Sequence, residues 1–307
     1  MRLFGPRSTP PSPELGVNLV GFTRTDFSRT ASTGSMVHLR ETLGASRAVL
    51  VPTFYGSRFD AGQLSAESPK TATVDSLRDA IQDAARHGVS VALKPHIDIE
   101  DGIFRGDIAP TGRDRVRFFE AYRRVVIAPL ARLAAEHPGT VDRFVVGTEL
   151  SGLAGADDEW RTTVRELRRN APGVQVGFAA NYDSLVPGDR RPDPTGWADE
   201  LDFLGVDYFL GESDRDYPFG RLTRSIRTAK RLTGKPLLFT ELGSRADTGD
   251  GHEGQRRRIA EAVDHFRGHV AGFWLWNRFA ARDEADVERY TLGDPAVQDL
   301  ARRFARG

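Results

Sequence analysis

The chain has 307 residues, 39% hydrophobic and 28% charged, which is the make-up of a soluble globular protein with room for one large domain or two small ones. Lys and Arg total 43 and Asp and Glu total 43, so no bulk charge argues for nucleic acid or an anionic membrane surface as a partner. There is no cysteine, which excludes disulfides and thiolate metal sites.

No apolar run approaches the roughly 20 residues that span a bilayer. Residues 1–13 contain basic side chains and prolines but no apolar stretch of signal-peptide length, so a cytoplasmic location is the expectation. Residues 1–14, with Pro6, Pro10, Pro11 and Pro13, read as a flexible tail ahead of a single domain over 15–307.

From Gly16 onward, short apolar runs alternate with amphipathic segments. Residues 17–22 read as a first strand, followed by a helical stretch near 35–43, and 48–52 as a second. Residues 74–86 predict a helix, with Val74, Leu77, Ile81, Ala84 and Ala85 at helical spacing and Gly88 as its stop. The third strand is 89–94, and a long helix over 115–136 follows a loop rich in Asp and Gly. Strands are then expected at 144–148, 174–180, 203–207, 237–240 and 270–276. Helices are expected at 157–169, near Trp197, and at 222–232, 255–266 and 295–304. Eight strand–helix units in roughly 290 residues predict parallel strands closed into a (β/α)8 barrel. A doubly wound open sheet is the rival, but Gly16-Val17-Asn18-Leu19-Val20-Gly21 is not the glycine-rich phosphate loop that fold usually carries after its first strand.

In such a barrel the C-terminal strand ends converge on one face, and here they are chemically dense. The third strand ends in Lys94-Pro95-His96 with Asp98 beyond, the fourth in Glu149, and the fifth in Asn181-Tyr182. The sixth ends in Asp207-Tyr208-Phe209, the seventh in Glu241, and the eighth contributes Trp274, Trp276 and Asn277. Two acids among amides, a histidine, a lysine and tryptophans suit a neutral polyol. Cleaving a glycosidic bond needs one carboxyl group to protonate the leaving oxygen and a second to meet the cationic sugar carbon. A nucleophilic second carboxylate sits roughly 5–5.5 Å from the first, and strands four and seven lie across the mouth from each other.

Each residue also has a plainer reading. A glutamate after a strand is often a helix-start residue favoured by the helix dipole. His96 with Asp98, Glu100 and Asp101 could bind a divalent ion, but no second histidine follows at ligand spacing, so no metal is expected. The remaining histidines fall on predicted helices or their ends. One of Trp274 and Trp276 could be barrel core rather than platform, and Trp160 fits a helix–barrel contact.

Several segments together resemble glycoside hydrolase family 113, a clan A family whose characterised members are retaining β-1,4-mannanases. They are Leu93-Lys94-Pro95-His96-Ile97-Asp98, Asp101-Gly102-Ile103-Phe104-Arg105-Gly106, Gly147-Thr148-Glu149-Leu150, Ala179-Ala180-Asn181, Asp202-Phe203-Leu204-Gly205-Val206-Asp207, Lys235-Pro236-Leu237-Leu238-Phe239-Thr240-Glu241-Leu242-Gly243 and Gly272-Phe273-Trp274-Leu275-Trp276-Asn277. They occur in family order across nearly the whole chain. The resemblance implies Glu149 as acid/base and Glu241 as nucleophile. It implies a sugar cleft lined by Lys94, His96, Asn181, Asp207 and Trp276, with Arg105, Tyr208 and Asn277 as further contacts, and no cofactor. Oligosaccharide or polysaccharide is then the partner, mannan first. A hydrolase or transglycosylase for another β-glycan and a carbohydrate-binding barrel without catalysis are the alternatives. Two positions depart from the family pattern. Phe104 replaces a tryptophan before Arg105-Gly106. Asp207-Tyr208-Phe209 replaces Asp-Ala-Tyr, whose tyrosine would hydrogen-bond the nucleophile, and leaves open whether Tyr208 or Phe209 faces Glu241.

Overall fold

The computed structural model describes residues 13–57, 60–99, 102–211, 218–276, 299–300 and 302–304. Its strands are β1 (Glu14–Gly21), β2 (Arg47–Ser57), β3 (Asp60–Ser65), β4 (Ser90–Leu93), β5 (His96–Ile99), β6 (Val141–Thr148), β7 (Gln175–Asn181), β8 (Phe203–Leu210), β9 (Leu237–Ser244) and β10 (Gly272–Trp276). Neighbours run in the order β1-β10-β9-β8-β7-β6-β4-β2, and β2 pairs back with β1, so eight parallel strands close on themselves. This is the (β/α)8 barrel expected from the alternation of elements.

The departures from expectation have local causes. Strand three stops at Leu93, because Pro95 cannot donate to the ladder, and resumes as β5 beside β2. The helix expected over 115–136 is α3 (Gly112–Tyr122), a π-turn (Arg123–Ile127) and α4 (Ala128–Glu136). Pro129 lacks the N–H that would close the preceding turn, and the widened π-turn absorbs the gap. The antiparallel strand β3, which extends β2 past the barrel rim, was not expected. The first helix, α1 (Arg29–Val37), starts earlier than 35 and runs into a π-turn (His38–Thr42). Its sequence, Arg-Thr-Ala-Ser-Thr-Gly-Ser-Met-Val, carries almost no apolar period. The strand β1 begins at Glu14, inside the stretch read as tail.

Two apolar layers hold the barrel. Inward side chains of Val49, Ala92, Val145, Ala179, Phe203, Leu238 and Trp274 fill its interior. Outward residues such as Phe144, Val146, Phe178, Leu204, Val206 and Phe239 pack beneath the helices. Trp160, on α5 (Asp157–Asn170), stacks on Trp197 at 5.2 Å and donates to Leu153 O, a helix–barrel contact as expected. At the N-terminal end of the barrel, Arg47 is clasped by Glu14 at 2.8 Å and by Asp142 at 2.9 Å. Arg143 and the Trp274 indole each donate to the same Glu14 oxygen at 2.8 Å. This closed ionic bracket seals the face opposite the mouth.

Candidate active site

Both glutamates are aimed by β-bulges, where one extra residue breaks the inward–outward count of a strand. In β6 the pairing with β7 shifts between Val145 and Thr148. A Cβ at Gly147 would lie 2.6 Å from the Trp160 ring and 2.8 Å from Phe178, so only glycine lets the strand press that close to the helix layer. The bulge delivers Glu149, whose φ of 54° makes it the one described non-glycine residue with positive φ. A left-handed glutamate costs of order 1–3 kcal/mol, held here by the surrounding contacts. One is the Glu149 N–H bond to Ala179 O at 2.8 Å. Another acts on the strand behind it, where the Tyr122 hydroxyl donates to Val146 O at 2.7 Å.

In β9 the pairing with β8 jumps from Val206↔Phe239 to Asp207↔Glu241. Phe239 and Leu242 face the helices. Thr240 and Glu241 both turn inward: the Thr240 hydroxyl donates to Asp207 Oδ1 at 2.6 Å, and the Glu241 carboxylate meets His96 and Lys94. Asn18 braces the irregularity, donating to Thr240 O at 3.0 Å and Leu275 O at 3.1 Å.

The glutamates face a shared open cavity of about 180 Å³ whose walls include His96, Asp98, Arg105, Phe209 and Trp276. Around Glu149, Arg105 donates to Oε2 at 2.8 Å and Asn181 Nδ2 to Oε1 at 3.1 Å. Arg105 is itself fixed by Asp98 at 2.6 Å and by Ile97 O at 3.1 Å. Burial pushes the Glu149 carboxyl above its usual range against the pull of Arg105, and the negative charge of Glu241 adds to the rise. Around Glu241, His96 Nε2 lies 2.9 Å from Oε1, and Lys94 Nζ contacts the same oxygen. Burial, then the charges of Arg105 and Lys94, hold His96 well below the ordinary imidazole range. The ring is therefore neutral and bonds Glu241 through an Nε2–H. Trp276 stacks parallel to it at 5.8 Å.

The residues predicted from sequence fall in different places. Glu149, Glu241, His96, Arg105 and Trp276 line the cavity. Asn181 reaches Glu149 and keeps its Oδ1 buried without a partner among the described residues. Lys94 and Asp207, expected as sugar contacts, have side chains 0% exposed and face each other at 3.1 Å beneath Glu241. Burial, reinforced by the Glu241 charge, pushes Asp207 well above the usual carboxylate range. Tyr208, expected in the cleft, instead points outward and packs against Tyr182, Phe219 and Phe239. Strand alternation sends the next residue, Phe209, to the cavity, edge-on to Trp276 at 5.8 Å. Asn277, Glu100, Asp101 and 295–298 lie outside the described residues. Of the two strand-eight tryptophans, Trp274 is barrel core and Trp276 is at the mouth. The metal reading of the third strand end finds His96 turned to Glu241 and Asp98 to Arg105. Among the described residues no cluster of His, Asp and Glu could hold an ion.

Sequence reasoning missed Asn18 and Thr240 as supporting residues, and weighed Asp98 only as a strand-end acid and possible metal ligand rather than as the partner of Arg105. Asn18 left a signal, as an amide inside an otherwise apolar strand needs internal partners; its Nδ2 has them, and its Oδ1 is buried without one among the described residues.

A barrel whose mouth holds two carboxylates over one cavity is the framework of a glycoside hydrolase. The family model described as Glycoside Hydrolase Family 113 matches residues 19–277, and the chain belongs to that family. No curated protein sequence matches it. Among solved structures, a family 113 β-1,4-mannanase in a complex superposes with a TM-score of 0.75 at 18% identity, covering 94% of this chain and 98% of that one. The family 113 β-mannanase of Alicyclobacillus acidocaldarius, in complex with ManMIm, gives 0.75 at 21% identity over 96% and 97%. A GH5_18 variant from Streptomyces cattleya, in complex with Manβ1-4GlcNAc, gives 0.65 at 19% identity over 96% and 81%. At such identities the superpositions speak for the fold. Among the described residues, no helix is long and apolar enough to cross a membrane.

Proposed function

We propose that the protein is a retaining glycosidase of β-linked mannosides, with Glu241 as nucleophile and Glu149 as acid/base. The observation that carries this reading is the asymmetry between the two glutamates. Lys94 and His96 both act on Oε1 of Glu241, leaving Oε2 without a protein donor among the described residues. Glu149 is the carboxyl group whose proton burial retains. In the first step Glu241 Oε2 bonds to the anomeric carbon as the glycosidic C–O bond breaks. The leaving oxygen takes the Glu149 proton. In the second, water attacks the same carbon, gives its proton to Glu149, and the C–Oε2 electron pair returns to Glu241. Two displacements retain configuration. Trp276 offers a ring face for a sugar, and the free Asn181 Oδ1 offers an acceptor for a hydroxyl.

Mannosides are preferred because the family and its superposing members point that way. The test is to assay Glu241→Gln and Glu149→Ala on manno-oligosaccharides and on aryl β-mannosides. Both variants should lose at least about 10³-fold on the oligosaccharides, the scale of losing a member of a catalytic pair. Azide should restore Glu149→Ala on aryl substrates by forming a glycosyl azide. A 2-fluoro-mannoside should leave one adduct on Glu241, seen by peptide mass spectrometry. Full activity of either variant would sink the roles. A polysaccharide panel with product analysis separates mannans from glucans or amino-sugar chains.

Phe209 favours one other reading, because its ring supplies the cavity with no donor. A carbohydrate-binding barrel would show oligosaccharide affinity by calorimetry and no products after long incubation.

A further inference from the structure

Lys94 is the one described cation with a side chain 0% exposed, and it stands between two carboxylates. Its ammonium donates to Asp207 Oδ2 at 3.1 Å and contacts Glu241 Oε1. A buried charge persists only where it is paired, and this one has two carboxyl partners: Glu241, which loses its charge in the proposed reaction, and Asp207, whose two oxygens accept from Lys94 and Thr240 and so face donors that suit a carboxylate. Asp207 is anchored from its other oxygen by Thr240, so it cannot follow the nucleophile. Of the other charged groups at the site, Arg105 is held by Asp98 and by Glu149, and His96 is neutral.

We infer that Lys94 is a positioning residue that serves the second half of the reaction: it holds Asp207 while Glu241 is esterified and draws the carboxylate off the sugar when the ester breaks. This inference rests on the proposed double displacement. In the free enzyme the ammonium neutralises Glu241. Once Oε2 is bonded to the anomeric carbon, Glu241 carries no charge and the ammonium is left with Asp207. As water bonds to that carbon and passes a proton to Glu149, the C–Oε2 electron pair returns to a carboxylate already facing a cation. Lys94 takes no part in the proton transfers, which run between the leaving oxygen, the water and Glu149. A cation on Oε1 makes the carboxylate a weaker nucleophile and a better leaving group. Removing it should therefore slow deglycosylation more than glycosylation.

Removing Asp207 has the opposite signature. An ammonium with no second partner is stranded whenever Glu241 is esterified, so the covalent state is disfavoured and its formation slows.

The absence of cysteine makes the test clean. Lys94→Cys gives a single thiol, which can be aminoethylated in denaturant to rebuild an ammonium of nearly lysine length, or carboxamidomethylated to leave a neutral amide. Wild type is carried through the same unfolding and refolding as the reference. With a dinitrophenyl β-mannoside, unmodified Lys94→Cys should release a burst of one phenolate per enzyme. Steady-state turnover should then fall on the order of 10- to 100-fold, as for loss of a charged hydrogen bond, with a lower KM and a glycosyl adduct by intact mass. Aminoethylation should abolish the burst and restore turnover, and carboxamidomethylation should not. Asp207→Asn should lose kcat/KM with no burst. Two results overturn the inference: Lys94→Cys slowed with no burst or adduct, or an aminoethylated protein no faster than the carboxamidomethylated one while refolded wild type is active. If Lys94→Cys does not refold, a burst in Asp207→Asn overturns the inference by itself, and kcat/KM lost without a burst supports it. Failure of the underlying reading looks different, because the wild type would then form no 2-fluoro adduct on Glu241.

Discussion

Arg105→Met should move the alkaline limb of the kcat/KM profile upward by about 1–2 pH units. The guanidinium donates to Glu149 Oε2 at 2.8 Å, and methionine keeps much of the bulk while removing every donor. A hydrogen bond to a charged group is worth about 1.5–3 kcal/mol, and one pH unit corresponds to about 1.36 kcal/mol. Glu149 already lies above the usual carboxylate range through burial, and Arg105 is the main pull in the other direction. Losing that pull disfavours the ionised form, so Glu149 keeps its proton to higher pH. The assay is kcat/KM against pH with a β-mannoside whose leaving group needs protonation, since this profile reports the free enzyme. A dinitrophenyl mannoside, which leaves without help, should show no such limb in either protein. A limb that stays in place, or moves down, would refute the assignment of Arg105 as the group that opposes the upward push of burial on Glu149. Asp98, one third exposed, loses its partner too, so the melting temperature should fall and is measured separately.

Other perturbations have equally definite outcomes. Glu149→Gln should raise the melting temperature at neutral pH: burial lifts this carboxyl in the fold, so the native state binds more protons than the unfolded chain and stability declines as pH rises from the ordinary value of 4.5. The gain, read by calorimetry, should vanish below that value. Gly205→Ala would set a Cβ 2.4 Å from Thr240 Oγ1 and displace the hydroxyl that anchors Asp207. It should cost about 1–3 kcal/mol by denaturant titration and lower kcat. Arg47→Met, in the bracket at the closed end, should cost about 3 kcal/mol of stability while KM and kcat of the folded fraction stay unchanged, because the barrel separates its stabilising face from its reactive one.

Much of this was legible in the sequence because the barrel repeats one simple pattern. Buried parallel strands read as apolar runs, and strands ending on Glu149 and Glu241 announced a reactive face. What stayed hidden was anything set by long-range contact. The hairpin strand β3, Asp-Ala-Gly-Gln-Leu-Ser, has no apolar alternation and exists because the extended end of β2 offers it an edge. Lys94 could be placed at a strand end, but nothing local says that its ammonium lies buried against two carboxylates on β8 and β9. The choice between Tyr208 and Phe209 was decidable: counting by twos from Phe203 through Gly205 and Asp207 reaches Phe209, and Tyr208 falls on the helix side.

The same counting fails for the two glutamates, and the failure is informative. From inward Leu238, alternation gives Thr240 inward and turns Glu241 toward the helices, where an unpaired carboxylate would be untenable. The bulge at Thr240 adds the residue that turns Glu241 back, and the one before Thr148 delivers Glu149 with its positive φ. Each irregularity is fixed by a specific device: a glycine pressed against Trp160 in β6, and the Asn18 amide bonded to Thr240 O of β9 and Leu275 O of the neighbouring β10. The barrel thus keeps strict period where it only needs packing and breaks it at the two strands that carry the carboxylates. Residues such as Gly147 and Asn18 therefore set the direction in which each glutamate points.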